Sequence, residues 1–520
     1  MSSAPSPQAK RALPAAMVVG VATMASRVTG FLRDLFIAAL LGSGPFAEIF
    51  VIAFRLPNLF RRLFAEGAFN AAFVPLFSET REAKGQAAAL DFAGRVFSVL
   101  LSALLVFTIL AQIFMPGLVV ALAQGFVGTP EKFDLAVHYA RISFPYLICM
   151  SLLSLFAAML NATGRFFAAA IAPLLLNLVL IGAMTLALIF QGLAIDYIIW
   201  GVVVAGVAQL AFVFIAAWRA GLRVPLSPPR WTSDVRGLFV LALPGVLAAG
   251  IGQINLLVGT SIATGQQGAA AWLYYADRLY QLPMGVIGVA LSVALLPDLS
   301  RRLAAKDEHG ARQSQSDAVL AASGLTLPAS IGLFVLAAPL VQLLFERGAF
   351  TAADTLATAQ ALQAFCFGLP AFVLVKALQP SFFARKDTRT PLIDGAIGVA
   401  VNISVSLSLF PIYGHMAIAY ATSLAGWVTL ILMLVRLSAR GIWAIDGAVM
   451  RQLAGQVAAS VLMGAGLLVF ASLVVRPDAL LGLMVWATAM VLGGGLSFVL
   501  LALGFGGITR AQLRRLRGRA

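Results

Sequence analysis

One apolar stretch, Ser26 to Glu79, carries within it Arg27, Arg33, Asp34, Glu48, Arg55, Arg61, Arg62 and Glu66. The residues around them are hydrophobic enough to sit in a bilayer. An ionisable group at the bilayer centre costs roughly 2.5 to 3.5 kcal/mol on insertion scales, so three or four retained arginines represent on the order of 10 kcal/mol that something must offset. Such groups face a wet cavity or a partner. A cavity lined by guanidinium groups is suited to an anion, above all to phosphate oxygens, which the planar fork matches in pairs. A second charged site, Asp277 and Arg278, stands inside another apolar run, YYADRLYQLP.

The spacing constrains which of these charges can neutralise one another. Arg27 and Asp34 are seven apart and share a helix face, so Arg27 either pairs with Asp34 as a strut or contacts substrate. Arg33 points elsewhere unless the helix breaks at Gly30 and swings it inward. Pro57 frees the carbonyl four residues earlier and bends its helix near Asn58 and Arg61. Arg62 and Glu66 form an i,i+4 pair, which leaves Arg61 as the substrate-facing member. Glu48 reads as a gate partner for an arginine, a proton-linked carboxylate, or an exposed acid at the loop edge beside Pro45. Adjacent residues on a helix diverge by about 100°, so Asp277 and Arg278 are not expected to cancel. Arg278 is then a fourth cavity arginine or one end of an interhelix bond. Lys376 and Asp394 are candidate coupling groups, or they snorkel to an interface.

These residues must be carried by membrane-spanning helices. Hydrophobic residues make up 61% of the 520 and charged residues 11%, which excludes an ordinary soluble domain and predicts an all-α polytopic membrane protein. Apolar segments of spanning length fall near 14–41, 46–77, 92–123, 134–160, 167–190, 194–218, 237–263, 269–299, 316–345, 353–384, 391–411, 415–437, 453–474 and 479–505, fourteen in all. The net charge of +15 is not a nucleic-acid footprint, because the basic residues punctuate the apolar runs. Twenty-four Lys and Arg fall on one side of the predicted topology against three (Lys132, Arg347 and Arg476) on the other, which places both termini in the cytoplasm.

An internal repeat is also legible. Pro57 answers Pro283, Pro145 answers Pro370 and Asn177 answers Asn402, at offsets of 226, 225 and 225. Two pseudo-symmetric six-helix lobes are therefore expected, in residues 1–223 and 224–440, followed by two additional helices and a basic tail in 441–520. The lobes differ in charge, since Arg27, Arg33, Arg61 and Arg62 have no basic counterparts in the second. The two cysteines and three histidines are scattered, so neither a metal nor a catalytic dyad is indicated, and no Walker motif is present. A membrane enzyme acting on prenyl lipids would need an acid or His cluster in a loop. The long loops lack one.

The runs SRVTGFLRD, FRLPNLFRRLFAEGAFNAAFVPLFSE, YYADRLYQLPMGVIGVALSVALLPDLS, LNATGRF and ARKDTRTP resemble the bacterial lipid II flippases, the MurJ or MviN family of the multidrug/oligosaccharidyl-lipid/polysaccharide exporter superfamily. The resemblance covers essentially the whole chain. It implies a transporter, not an enzyme, that moves undecaprenyl-pyrophosphate-linked disaccharide-pentapeptide (lipid II) to the outer leaflet of the cytoplasmic (inner) membrane by alternating access. On this reading Arg27, Arg33, Arg61 and Arg278 bind substrate, and Glu48, Asn58, Glu66 and Asp277 are gate or supporting residues. Gln281 stands where relatives often have Glu. A sodium site known in some members maps onto Asn255, Asn402, Ser406 and Thr422, none a carboxylate, so the coupling ion is left open and no cofactor is implied. The last two helices are expected to guide the lipid tail. The expected partners are lipid II, membrane lipids and the cell-wall synthesis machinery, with no nucleic acid. A same-fold exporter of another substrate, a polysaccharide-lipid or drug antiporter, is the alternative. It predicts fewer cavity arginines and more aromatic or acidic residues.

Overall fold

A straight helix from Ala68 to Ile113 would be about 69 Å long, more than twice the hydrocarbon thickness of a bilayer. Gly85 resolves the excess: its backbone adopts φ 85° and ψ 171°, outside the helical region and open to glycine. The chain folds back there, and the ring of Phe92 stacks 5.7 Å from that of Phe73, residues that a straight helix would hold about 28 Å apart. Phe73, Phe77 and Phe92 are buried in this turn-back.

The computed structural model describes the backbone of residues 7–64, 68–474, 476–477 and 479–509, and their side chains other than those of 7–18, 63, 64, 68, 247–249, 251, 286 and 289–294. Among the described residues every regular element is helical. Residues Met1–Gly268 form one compact unit and Ala269–Ala520 another.

The first unit contains α1 (Pro7–Leu41), α2 (Pro45–Phe64), α3 (Ala68–Ile113), α4 (Met115–Leu122), α5 (Pro130–Ser143), α6 (Tyr146–Ala162), α7 (Phe167–Phe190), α8 (Ala194–Arg219) and α9 (Ser233–Ala263). α9, which opens the second sequence repeat, packs along α3 and belongs by its contacts to the first unit. The second unit contains α10 (Ala269–Ala304), α11 (Glu308–Val335), α12 (Ala337–Phe345), α13 (Ala352–Cys366), α14 (Leu369–Phe383), α15 (Arg389–Tyr413), α16 (His415–Ala439), α17 (Gly447–Leu473) and α18 (Leu480–Gly504). Short polar caps begin several of these. Asp307 accepts from the Gly310 amide, Asp446 from the Val449 amide, and Thr351 with Asp354 forms a capping box at α13.

The fourteen apolar segments of the sequence map onto these helices, with several segments split in two. Breaks occur at Phe114 between α3 and α4, at Pro145 between α5 and α6, and at Gly368 between α13 and α14, where the axis bends by 40°. Proline explains the last two, since it removes an amide and leaves the carbonyl four residues earlier without its helical donor. In each unit a side chain of another helix supplies that donor. Gln112 Nε2 donates to the Arg141 carbonyl at 2.9 Å, and Ser330 Oγ donates to the Cys366 carbonyl. The repeated prolines therefore meet the same requirement with different residues.

Among the described residues nine helices are long and apolar enough to cross a membrane, or ten with the bent pair α13 and α14. Outside that set are, among others, α1, α2 and α10, which carry most of the charges singled out in the sequence. Large apolar side chains stand exposed around the helices, among them Leu481, Leu492 and Leu496 of α18, as expected where lipid is the solvent.

Candidate anion-binding site

The charged stretch is organised by α1, α2, α5 and α7. α1 continues through Gly30 without a break. The alternative in which the helix breaks at that glycine and swings Arg33 inward is therefore not realised. Gly30 instead permits close approach to α7, because a Cβ there would lie 3.2 Å from Nδ2 of Asn177. Asn177 is buried and donates to the Ser26 carbonyl at 2.9 Å and to Thr29 Oγ1 at 3.3 Å. Its own Oδ1 accepts from Arg33 at 3.0 Å.

Asp34 pairs with Arg33 and not with Arg27. Both nitrogens on the Asp34 side of the guanidinium reach Oδ1, Nη2 at 2.7 Å and Nε at 3.1 Å, and the pair is buried. Phe54 of α2 closes the other side, 6.0 Å from the guanidinium carbon. A long side chain can fold across the 100° between neighbours when a second acceptor, here Asn177, fixes its far end. Arg27 is left exposed on α1 with no ion pair among the described residues, beside exposed Met24 and Val28.

On α2 Pro57, inside the helix, has the hydrogen-bonding consequence expected of it. The Ala53 carbonyl accepts from Ser143 Oγ of α5 at 2.8 Å, which ties this turn to a neighbouring helix. Asn58 donates to the Phe54 carbonyl at 2.7 Å and accepts from Nε of half-buried Arg61 at 3.0 Å, so Asn58 positions Arg61. Arg62 is exposed. Its suggested partner Glu66 lies outside the described residues.

Glu48 is fully buried, which rules out the exposed loop-edge reading. Its partner is Lys132 of α5, and that ammonium also sits 4.0 Å from the ring of Phe126. Lys132 appeared in the sequence only as a topology marker, and nothing in its local context signals a buried pair. Arg55, also given no role from sequence, donates to buried Thr260 of α9. It sits seven residues before Arg62 and three before Asn58, and that helical spacing was the available signal.

In the second unit Arg278 of α10 lies 4.6 Å from the ring of Tyr274, one turn back. Asp277 accepts from Gln281 one turn on. Glutamate at 281 would set two carboxylates one turn apart, whereas the amide found here makes a hydrogen bond. Asp394 is buried against Arg436 at 2.8 Å, an interhelix pair and not an interfacial snorkel. Asn402, Ser406 and Thr422 are mutually hydrogen-bonded, Ser406 to Asn402 at 3.1 Å and Asn402 to Thr422 at 3.3 Å. Asn255 belongs to the first unit. Among the described residues no cluster of three or more His, Cys, Asp or Glu has the proximity needed for a metal.

The arrangement so far is a set of oriented guanidinium groups in a polytopic helical membrane protein. The family described as "Lipid II flippase MurJ" matches residues 37–489. The chain belongs to that family. A MurJ relative from Rhizobium meliloti, described as "Probable lipid II flippase MurJ", is 45% identical over 96% of this chain and 94% of its own. The lipid II flippase MurJ of Burkholderia cenocepacia is 34% identical over 82% of this chain and 84% of its own. Among solved structures, one of lipid II flippase MurJ in an inward closed conformation shares the fold with a TM-score of 0.80 at 24% identity, covering 94% of this chain and 98% of that one. The MurJ fold thus accounts for the helical architecture of the described residues.

Proposed function

We propose that this chain is a lipid II flippase of the bacterial inner membrane, with both termini in the cytoplasm. It would carry the pyrophosphate-linked precursor from the inner to the outer leaflet by alternating access. Membership of the MurJ family is the observation that carries the reading. Up to two negative charges crossing about 30 Å of hydrocarbon require a sheltered cationic path while the prenyl tail stays in lipid.

Arg27, Arg33, Arg61 and Arg278 are the proposed phosphate contacts. Arg27 is already exposed, and Arg61 is steered by Asn58. Arg33 would act differently: held by Asp34 and Asn177, it would either strengthen the positive field from a fixed position or exchange Asp34 for the pyrophosphate during the cycle. Glu48, Asn58, Glu66 and Asp277 are the proposed gate or supporting groups. The buried Glu48 pair with Lys132 is an internal lock whose breaking would cost several kcal/mol if one charge were left unpaired.

Depletion in cells tests this reading. Loss of the protein should leave newly made lipid II inaccessible to an outer-leaflet probe, and re-expression should restore access. Undiminished access after depletion refutes it.

A further inference from the structure

A groove of about 570 Å³ runs between α3 and α9 within the first unit, and none of the four proposed phosphate-binding arginines is among its described lining residues. Its walls are apolar, including Leu100, Leu104 and Phe107 of α3 and Phe239 and Leu243 of α9. Among the described lining residues Arg236 is the only charged one. It is exposed and has no ion pair or side-chain hydrogen bond among the described residues. Asp234, two positions earlier, is engaged by Arg95 at 3.4 Å, which places these parts of α3 and α9 at one level. Trp231 stacks 5.2 Å from Phe239 beside Arg236, an amphipathic ring of the kind that marks the headgroup level of a membrane.

The dimensions select the occupant. From Arg236 to Val246, the far lining residue on α9, is ten residues, about 15 Å of helix and half of the roughly 30 Å hydrocarbon core. The groove therefore has the length of one leaflet, with a cation and an aromatic ring at the headgroup end. We propose that it is a binding site for an anionic glycerophospholipid of the cytoplasmic leaflet, its phosphate on Arg236 and an acyl chain along α3 and α9.

The test is native mass spectrometry of the full chain, delipidated in detergent. It is mixed with phosphatidylglycerol or phosphatidylcholine of the same chain length, with inorganic phosphate or undecaprenyl phosphate as competitor. Phosphatidylglycerol adducts should exceed phosphatidylcholine adducts by about fivefold, the worth of one basic side chain against an anionic lipid. Arg236→Gln should erase that preference while some binding of both lipids remains. Leu243→Gln, on a residue 54% exposed, should weaken both lipids without unfolding the chain. Inorganic phosphate should not compete. Equal adducts of the two lipids on the wild type, an unchanged preference in Arg236→Gln, or displacement by inorganic phosphate would overturn the assignment. Stronger retention of undecaprenyl phosphate than of phosphatidylglycerol would also overturn it and make the groove part of the substrate path. Because adduct formation needs no transport, the outcome is independent of the flippase reading.

Discussion

Arg33 and Asp34, adjacent on α1, form a buried ion pair at 2.7 Å whose free edge is held by Asn177 of α7. A buried pair of this kind is costly to half-remove, because one charge is left without its partner. Asp34→Ala should therefore destabilise the protein by about 3 to 5 kcal/mol, while the double variant Arg33→Met with Asp34→Leu recovers most of that loss. If Arg33 also serves transport, the double variant is stable in thermal unfolding yet fails to support growth in a depletion strain. A stable double variant that complements fully would reduce the pair to a strut.

The proline kinks make a second prediction, concerning stability alone. Ser143 donates to the Ala53 carbonyl that Pro57 leaves without an amide. Ser143→Ala should cost about 1 to 3 kcal/mol, the penalty of an unsatisfied buried carbonyl. Pro57→Ala restores an amide to that carbonyl, so adding Ser143→Ala to it should cost much less. A double-mutant cycle read by thermal unfolding checks this, and strict additivity would contradict the assignment.

How far these features were legible depended on their range. The helices and the Ala53 carbonyl that Pro57 leaves without an amide follow from local chemistry, which sequence displays. Pairing did not follow. Seven-residue spacing put Arg27 and Asp34 on one face and left their pairing open, but the third partner Asn177 is 144 positions from Arg33 in the chain and decides in favour of Arg33. Lys132 was hidden for the same reason, since its pair with Glu48 joins residues 84 apart and lies where a loop lysine was expected. The split segments show a further limit, because hydropathy registers apolar length and is blind to a turn such as Phe114.

Arg27 supplies the cleanest test of the anion site, because its removal breaks no ion pair or side-chain hydrogen bond among the described residues. Exposed and without an ion pair among the described residues, it should tolerate Arg27→Ala with a stability change within about 0.5 kcal/mol, as surface substitutions do. Growth support should nevertheless be lost, and Arg27→Lys should restore part of it as a point charge without the bidentate fork. Measured protein level, thermal unfolding and complementation separate the two effects. Full complementation by Arg27→Ala would remove this residue from the substrate path.

The loop between α14 and α15 carries a pH dependence outside the membrane. Asp387 accepts from Thr390 Oγ1 at 2.6 Å and from the Thr390 amide at 2.9 Å, and its carboxylate meets Arg440, the residue that follows α16, at 2.7 Å. Those hydrogen bonds, Thr390's hydroxyl foremost, hold its pKa at about 2 against an ordinary 3.8. A depressed carboxylate stabilises the folded form fully above its unfolded value, and that contribution fades as pH falls from about 4 to about 2. In Asp387→Asn the part of the acid-side loss of thermal stability due to this loop should disappear, and Thr390→Val should shrink it more than Arg440→Gln does. Thermal unfolding of the detergent-solubilised protein between pH 5 and 2 reads the slopes. An Asp387→Asn profile that parallels the wild type across this window would show that the loop does not couple folding to protonation.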